Sequence, residues 1–520
     1  MRNEGIVELY APRRTLIGRD GITKIPHFLQ RLSSKCVLVV TDKGLIKVGT
    51  AGKVTAVLNN ANIQYVVYDG VEPNPTTRIV YDALHFYQEH QCDAIIAIGG
   101  GSPIDVAKAV SILSANGGKI QDYNGYNKSK KRGTPIIAVN TTAGTGSECT
   151  RAYVVTDEET KTKMLMVDTN CLAHLALNDP MLMVGMPPSL TAATGIDALT
   201  HAIEAYICNT HTPYTDALSL EAVRLVSGSL RDAVRDGSNM DARTNMCWAE
   251  YMAGLAFSNA GLGLVHGIAH QLGGFYNIPH GLANAILLPR VLEYNRPYCM
   301  GRLATVAQAM GEKCDNLSVD QASKKAIEAV RRLCDDVKIP KLCDTKFRME
   351  DIDVLARACT GGHRHADKHR PPDAGRCQDH PCQDVLRGHR PEDGAEMRRH
   401  GMEKSEVQRK VQLATSEEVF RKTGRIFVPV ASSARHVHLC HADVERLFGP
   451  GHQLTVFRML SQPGQYACTE QVTIVGPKGQ LAKVRVLGPE RSATQVEIAM
   501  TDSFKLGIKA PVRMSGKTAE

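Results

Sequence analysis

Two pairs of metal-capable side chains, each four residues apart, constrain this chain most: Asp197 with His201, and His266 with His270, followed by His280. A four-residue interval places two side chains on one helical face, a turn apart. The stretches that carry them, Ala193-Thr-Gly-Ile-Asp-Ala-Leu-Thr-His201 and Gly263-Leu-Val-His266-Gly-Ile-Ala-His270, are otherwise largely apolar. A fold that buries both must bring two helices together with a carboxylate and imidazoles between them. One histidine on an apolar face is ordinarily a hydrogen-bonded core residue. Three, with an aspartate and no cysteine partner, point to a divalent metal. The donor set suits Fe2+ or Zn2+, and ligand softness alone does not choose between them.

At 520 residues the chain is too long for one ordinary domain. Its net charge of +8 is small for this length and is not gathered into a basic block, so nucleic-acid binding is not indicated. The start, Met1-Arg-Asn-Glu-Gly-Ile-Val, has no apolar leader core, and no run approaches the roughly 18 apolar residues of a membrane span. Fifteen scattered cysteines without a CxxC pair read as reduced thiols, hence a cytoplasmic protein.

Residues 1–188 alternate short β-branched runs with helical patterns, and the runs 36–42, 63–69, 94–99 and 135–140 read as buried parallel strands. Segments 79–90 and 103–114 have helical spacing, so this part is α/β with crossover helices. Residues 189–360 read as an all-helical domain, with helices over 190–207, 215–231, 240–258, 260–272, 318–338 and 350–358. From 361 to 401 neither periodicity holds. Residues 361–400 carry six of the nineteen histidines, seven arginines, four prolines and two cysteines. A Cys/His metal module, a disordered linker and an out-of-frame stretch joining two coding segments are the readings of this tract. The first is disfavoured because Cys377 and Cys382 have no matching second pair. Residues 402–520 read as a helix over 403–418 and then a small all-β module.

The predicted strand 94–98 runs into Gly99-Gly-Gly-Ser-Pro-Ile-Asp105, with Ser102 placed to cap a helix and Pro103 at its first position. Glycines here let backbone N–H groups approach a diphosphate at the positive end of the helix. A tight strand-to-helix turn is the plain alternative. Asp42 at another strand end can accept a hydrogen bond from a ribose 2′-hydroxyl and repel a 2′-phosphate, which favours NAD over NADP. Thr141-Thr-Ala-Gly-Thr-Gly-Ser147 supplies hydroxyls at a third strand end.

Taken with Asp69-Gly-Val-Glu-Pro-Asn74-Pro and Asn178-Asp-Pro, these motifs resemble, in order, those of the iron-dependent (group III) alcohol dehydrogenases, in the branch of lactaldehyde reductase and the propanediol and propanol dehydrogenases. The resemblance covers about residues 1–360. It implies a Rossmann-like domain, a helical metal domain and a cleft between them. By position it assigns Asp197, His201, His266 and His280 to the metal and makes His270 a non-ligand active-site histidine. Asp42, Asn74, Gly100, Gly101, Ser102, Thr141, Thr142, Thr145 and Lys163 fall where the family contacts NAD. Cys359-Thr-Gly-Gly362 is present, but the family's continuation into a last helix is replaced by His363-Arg-His-Ala.

The tail blocks Arg435-His-Val-His-Leu439, Leu447-Phe-Gly-Pro-Gly451, Val475-Gly-Pro-Lys-Gly479, Arg485-Val-Leu-Gly-Pro489 and Thr494-Gln-Val-Glu-Ile498 look like the first half of a phosphate propanoyltransferase. His436 and His438, two apart on a strand, share one face, a geometry suited to zinc. The resemblance adds Glu497 as a third ligand and Arg491 as a phosphate-binding arginine. The family's second histidine block is not found, so the acyltransferase site is expected to be incomplete. The chain therefore reads as an NAD- and Fe2+-dependent dehydrogenase of a small aldehyde and its primary alcohol, expected to form a homodimer and to have microcompartment shell proteins as candidate partners. Acyl-CoA:phosphate transfer by the tail, or a tail that docks the enzyme into a bacterial microcompartment through an amphipathic 402–418 helix, are the alternatives.

Overall fold

The structure, a computed structural model, describes residues 6–160, 162–352, 355, 385–386, 435–459, 465–498, 502 and 505–508. Two compact units divide the chain, Met1–Arg399 and His400–Glu520.

In the first unit a parallel sheet has the spatial order β1 (Thr15–Ile17), β9 (Leu175–Asn178), β6 (Ile136–Asn140), β4 (Ala94–Gly99), β2 (Val37–Val40) and β3 (Tyr65–Tyr68). The near-continuous Val/Ile/Leu/Ala content of β2, β4, β6 and β9 is what a strand covered on both faces requires. Helices α1 (Ile25–Leu32), α2 (Lys43–Lys47), α3 (Thr50–Asn60), α4 (Thr77–Glu89) and α5 (Gly101–Asn116) connect the strands. Two apolar clusters cover the sheet, one with Ile95, Ala97 and Val110, the other with Val54, Ile96 and Ile98. The chain visits β2 and β3, then crosses back to β4 on the other side of β2. The strand ends of β2 and β4 therefore flank the point where the winding reverses, the usual place for a ligand crevice. A small second sheet, β5 (Gly125–Tyr126), β8 (Thr162–Val167) and β7 (Ala152–Asp157), adds a hairpin beside it.

The rest of this unit is helical: α6 (Pro188–Ile207), α7 (Pro213–Arg235), α8 (Met240–Ala260), α9 (Leu264–Tyr276), α10 (His280–Ala309) and α11 (Val319–Asp336). Seventeen of the twenty residues of α6 are buried, so it is the central rod of the bundle. Helix α10 had no counterpart in the sequence reading. Pro289 and Pro297 interrupt its pattern, and the backbone leaves helical geometry at Cys299, so two segments meet at a kink. β1, β9 and the β7–β8 hairpin were likewise not anticipated, because they are short or lie between stronger signals. Helix α5 begins at Gly101 with Gly100 as its cap, so Ser102 and Pro103 sit within the first turn rather than at the cap and first position.

The 361–401 expectation falls outside the described residues except at Val385 and Leu386. Both are helical, and both are buried in the core formed by α6 to α11. Arg290 Nη1 donates to the Leu386 carbonyl at 3.4 Å. The expected 403–418 helix and the strand at 427–430 also lie outside the described residues. Among the described residues no single helix is long and apolar enough to cross a membrane.

In the second unit a five-stranded sheet runs β11 (Val456–Met459), β12 (Tyr466–Gly476), β13 (Gly479–Arg491), β10 (His436–Cys440) and β14 (Gln495–Glu497). One helix, α12 (His441–Phe448), follows β10. Val437, Val444, Cys468, Val484, Val486 and Leu506 make its core.

Replacing Leu386 with Ala tests whether the helical core recruits this late segment. Loss of a fully buried leucine should cost about 2–5 kcal/mol. Denaturant unfolding followed by the fluorescence of Trp248, the chain's one tryptophan, reads the first unit selectively. An unchanged midpoint would show that Leu386 is not packed there.

Candidate metal centre and nucleotide cleft

Helix α6 presents Asp197 and His201 one turn apart, α9 presents His266, and α10 opens with His280 directly after Pro279. One ligand atom from each of these four residues lies within 4.8 Å of the others. His266 Nε2 is 3.9 Å from Asp197 Oδ1. The rings of His201 and His266 stack at 4.5 Å, and those of His266 and His280 are 5.4 Å apart.

Two imidazoles are oriented by acceptors on their far side. Glu204, two turns along α6 from Asp197, faces His266 Nδ1 at 2.7 Å and accepts from the N–H groups of Gly263 (2.9 Å) and Val265 (2.7 Å). One carboxylate thus satisfies the otherwise open start of α9 and makes His266 Nδ1 the protonated nitrogen, leaving Nε2 to bind. His201 Nδ1 lies 3.2 Å from the Gly144 carbonyl, which can only accept, so its Nε2 is also left for a ligand. Phe257 stacks on the His201 ring at 4.3 Å and fixes its plane.

The residues fit a divalent cation. Asp197 Oδ2 is buried without a hydrogen-bond partner among the described residues. The Asn284 amide nitrogen lies 2.6 Å from Asp197 Oδ1, 3.0 Å from His266 Nε2 and 3.1 Å from His280 Nε2. An amide has two protons for these three acceptors, so a weak positive group occupies a hollow shaped for a stronger one. Burial pushes the Asp197 carboxyl up, with His201 opposing, and holds His280 well below the usual histidine range, with His266 and Lys163 adding to the effect. A neutral imidazole is the ligand form, and a cation would favour the ionised carboxylate.

The three histidines of this set border a cavity of about 450 Å3. His201, His266 and His280 line it from the helical side, with His270 beside them, 5.3 Å from the His280 ring. Asn74, Gly101, Ser102, Thr145 and Lys163 line it from the sheet side. Gly99 takes φ 153°, and a Cβ there would stand 2.5 Å from Pro103 Cγ, so only glycine makes this turn. Gly100 packs directly on Thr142, where a Cβ would come within 2.8 Å of the hydroxyl. The loops after β4 and β6 are thereby held face to face.

Lys163 Nζ donates to Asn74 Oδ1 at 2.7 Å, and Asn74 Nδ2 donates to Asn277 Oδ1 at 2.9 Å, linking the sheet side to the end of α9. Burial draws the lysine down to about 8, with Asp105 opposing. Asp105 is itself pushed up to about 6 by burial, against Lys108 and its bond from Ser147. Asp42, Gly100, Thr141 and Thr142 do not line the cavity. Asp42 Oδ1 accepts from Leu45 N at 2.9 Å and so caps α2 at the end of β2. Glu204, Asn284 and Phe257 were missed in the sequence. Glu204 was legible in principle, since it lies seven residues after Asp197 and three after His201.

In the tail unit His436 pairs with Glu497 across β10 and β14, and His438 shares its face. His436 Nε2 is 3.4 Å from Glu497 Oε2, and the two histidine rings are 5.2 Å apart. His438 Nδ1 is buried without a partner among the described residues. Its pKa falls to about 4 through burial, then Arg491 and His436, so it too is a neutral imidazole. These three residues form a second set able to hold a metal ion. Arg491 Nη1 donates to Gln495 Oε1 at 2.5 Å.

Comparison with known proteins agrees with this geometry. Residues 12–180 match the family described as iron-containing alcohol dehydrogenase, and residues 191–375 match its C-terminal domain. Residues 429–520 match phosphate propanoyltransferase. The 1,3-propanediol dehydrogenase of Klebsiella pneumoniae is 47% identical over 348 residues, 66% of this chain and 90% of that protein. The lactaldehyde reductase of Escherichia coli (strain K12) is 44% identical over 354 residues, 66% of this chain and 92% of that protein. A solved 1,3-propanediol oxidoreductase superposes with a TM-score of 0.71 at 41% identity, covering 74% of this chain and 99% of that one. The chain belongs to the iron-containing alcohol dehydrogenase family. It carries, in addition, a C-terminal segment like phosphate propanoyltransferase.

Replacing Glu204 with Gln should weaken metal binding about 10- to 100-fold, the usual cost of losing a carboxylate behind a ligating histidine. Competition against a chromophoric chelator measures this. Unaltered affinity would mean that Glu204 serves only to cap α9.

Proposed function

We propose that the chain is an NAD- and iron-dependent alcohol dehydrogenase that interconverts a short-chain aldehyde and its primary alcohol. The observation that carries the reading is that the three histidines of the Asp197/His201/His266/His280 set and the Gly101–Ser102 turn border one cavity, with Asp197 joining the histidines from behind. Substrates of the lactaldehyde/propanediol, propanol or 1,3-propanediol type are favoured by the names of the relatives and by the modest cavity. In this reading residues 1–188 bind the nucleotide and 189–360 the metal, with Val385 and Leu386 completing the helical core.

When bound, the cation supplies Lewis acidity toward a carbonyl oxygen and the nicotinamide supplies or accepts hydride. Asp197 and the three histidines hold the cation, and Glu204 and Gly144 keep two of their rings turned toward it. Gly101, Ser102 and the facing Thr145 present N–H and hydroxyl groups to the diphosphate at the positive end of α5. Gly100, Thr141 and Thr142 act behind them by fixing the two loops. Lys163, held by Asn74, donates toward the ribose. His270 lines the cavity next to His280 and can deliver a proton to the alcohol oxygen. Phe257, Leu262 and Leu165 line the same space and keep water from the reacting carbon.

Asp42 directs the choice of nucleotide. Its Oδ1 is committed to α2, and a carboxylate so fixed at the end of β2 disfavours a 2′-phosphate. The tail set of His436, His438 and Glu497 is proposed to take zinc, with Arg491 beside it for an anion.

The cofactor reading is tested by following NADH and NADPH oxidation with propanal and lactaldehyde. Wild type should use NADH, and Asp42→Gly should narrow the preference by about 1–3 kcal/mol, the scale of one charge-assisted hydrogen bond. A wild-type preference for NADPH would refute the role of Asp42.

A further inference from the structure

Behind the metal and nucleotide residues, two carboxyl groups face each other in the dry interior. Glu148 follows the threonine-glycine loop after β6, and Glu250 lies on α8. Both are fully buried and in direct side-chain contact. Glu250 Oε1 accepts from Gly146 N at 2.6 Å and from Asn140 Nδ2 at 3.1 Å. Glu148 Oε1 accepts from Asn178 Nδ2 at 2.9 Å, and Asn140 Nδ2 also donates to Asn178 Oδ1 at 2.9 Å. The strand ends of β6 and β9, the loop and α8 thus meet in one polar knot. The second oxygen of each carboxyl, Oε2, has no donor among the described residues.

Among the described residues no cation pairs directly with either carboxyl. The nearest, Lys108 on α5, spends its ammonium on the carbonyls of Ser147 (2.6 Å), Ala152 (2.7 Å) and Thr150 (2.9 Å). The other titratable groups that face the pair among the described residues are Cys149 beside Glu148 and Cys247 and Tyr251 on α8, with Asp179 beyond Cys247, and none brings positive charge. Two ionised carboxylates in such a place repel without screening, whereas one proton between them removes the repulsion and gives both orphaned oxygens a partner.

What the knot holds bears on the site. Gly146 takes φ 60° and packs against Gly254 of α8, where a Cβ would lie 2.6 Å from the Gly254 Cα. Two residues earlier the Gly144 carbonyl orients His201, and between them Thr145 lines the nucleotide side of the cavity. We propose that Glu148 and Glu250 share a single proton, and that this proton fastens the Gly144–Gly146 turn to α8, making the pair positioning residues for both His201 and the nucleotide loop. The proposal rests on the dehydrogenase reading. Burial, then the Glu148 charge, push Glu250 well above the usual carboxyl range, and burial raises Glu148 too, against its bonds with Asn178 and Glu250. A carboxyl raised on folding stabilises the fold below its unfolded pKa, and that contribution is lost as pH rises through its folded value. The pair should therefore weaken the fold, and loosen the turn, on the alkaline side.

Glutamine at one position imitates the protonated carboxyl without being able to lose the proton. Its Oε1 can keep the bonds from Gly146 and Asn140 while its amide donates to Glu148. Thermal unfolding of the metal-loaded full chain, followed by Trp248 fluorescence two residues from Glu250, should be compared for wild type, Glu250→Gln, Glu250→Ala and the Glu148→Gln/Glu250→Gln pair from about pH 6 to about pH 10. Expected is an alkaline fall in wild-type Tm that Glu250→Gln lacks. Glu250→Gln should also keep kcat at neutral pH, while Glu250→Ala loses on the order of 10²-fold in kcat through the misplaced turn. The double variant, with two amides and no acceptor between them, should be less stable than Glu250→Gln. Parallel Tm–pH curves for wild type and Glu250→Gln, or a Glu250→Gln protein that fails to fold, would overturn the shared proton. Absence of aldehyde reduction in wild type itself would instead overturn the dehydrogenase reading, and the Tm comparison would still decide the proton.

Discussion

A carboxylate buried among three imidazoles is the constraint on which the first unit depends. Asp197 is 1% exposed, on the most deeply buried helix of the bundle. Removing such a charge from water costs several kcal/mol, and an apolar bundle offers nothing to offset it. The surrounding architecture supplies the missing terms: Asn284 donates to Asp197, Glu204 orients His266, and Gly144 orients His201. A divalent cation would complete the balance. Because Gly144 belongs to the loop after β6 and Glu204 to α6, the centre also ties the sheet side of this unit to its helices.

That dependence explains why glycine and threonine dominate the loop after β6. The turn at Gly144–Gly146 must approach α6 closely at Thr194 and α8 at Gly254, with no room for side chains. The same close approach brings Thr145 to the nucleotide side of the cavity and Glu148 against Glu250. One short segment thereby couples the proposed metal-ligating set, the proposed cofactor groove and the buried carboxyl pair. Asn74 and Lys163 make a second, separate tie to the end of α9.

Much of this was legible in the sequence, for identifiable reasons. Helical spacing put Asp197 with His201, and the structure gathers these two with His266 and His280. The central strands were visible because buried parallel strands are continuous runs of β-branched residues, and 94–99 matches β4 to the residue. Helix α10 was hidden by two prolines and an internal kink. Glu204 and Asn284 act through contacts between helices, which no local period encodes. Glu148 and Glu250 are 102 positions apart in sequence and meet only because the sheet end docks on α8. Asp42 shows the opposite case: its place at a strand end was read correctly, yet Oδ1 caps a helix. In the tail, the two-residue spacing of His436 and His438 announced a shared strand face, whereas Glu497 required the β10–β14 pairing to bring it opposite His436.

The most direct test of the central claim is an anaerobic titration of Fe2+ into the metal-stripped full chain, with NADH-dependent propanal reduction as readout. The stripped chain should be inactive, and activity should return in proportion to occupancy of one site per chain. His436→Ala should lower total metal uptake without changing that activity curve, because its ligands belong to the tail set. His266→Ala should abolish the activity and the site together. Full activity in the metal-free chain, or in His266→Ala, would contradict the assignment of the Asp197/His201/His266/His280 centre.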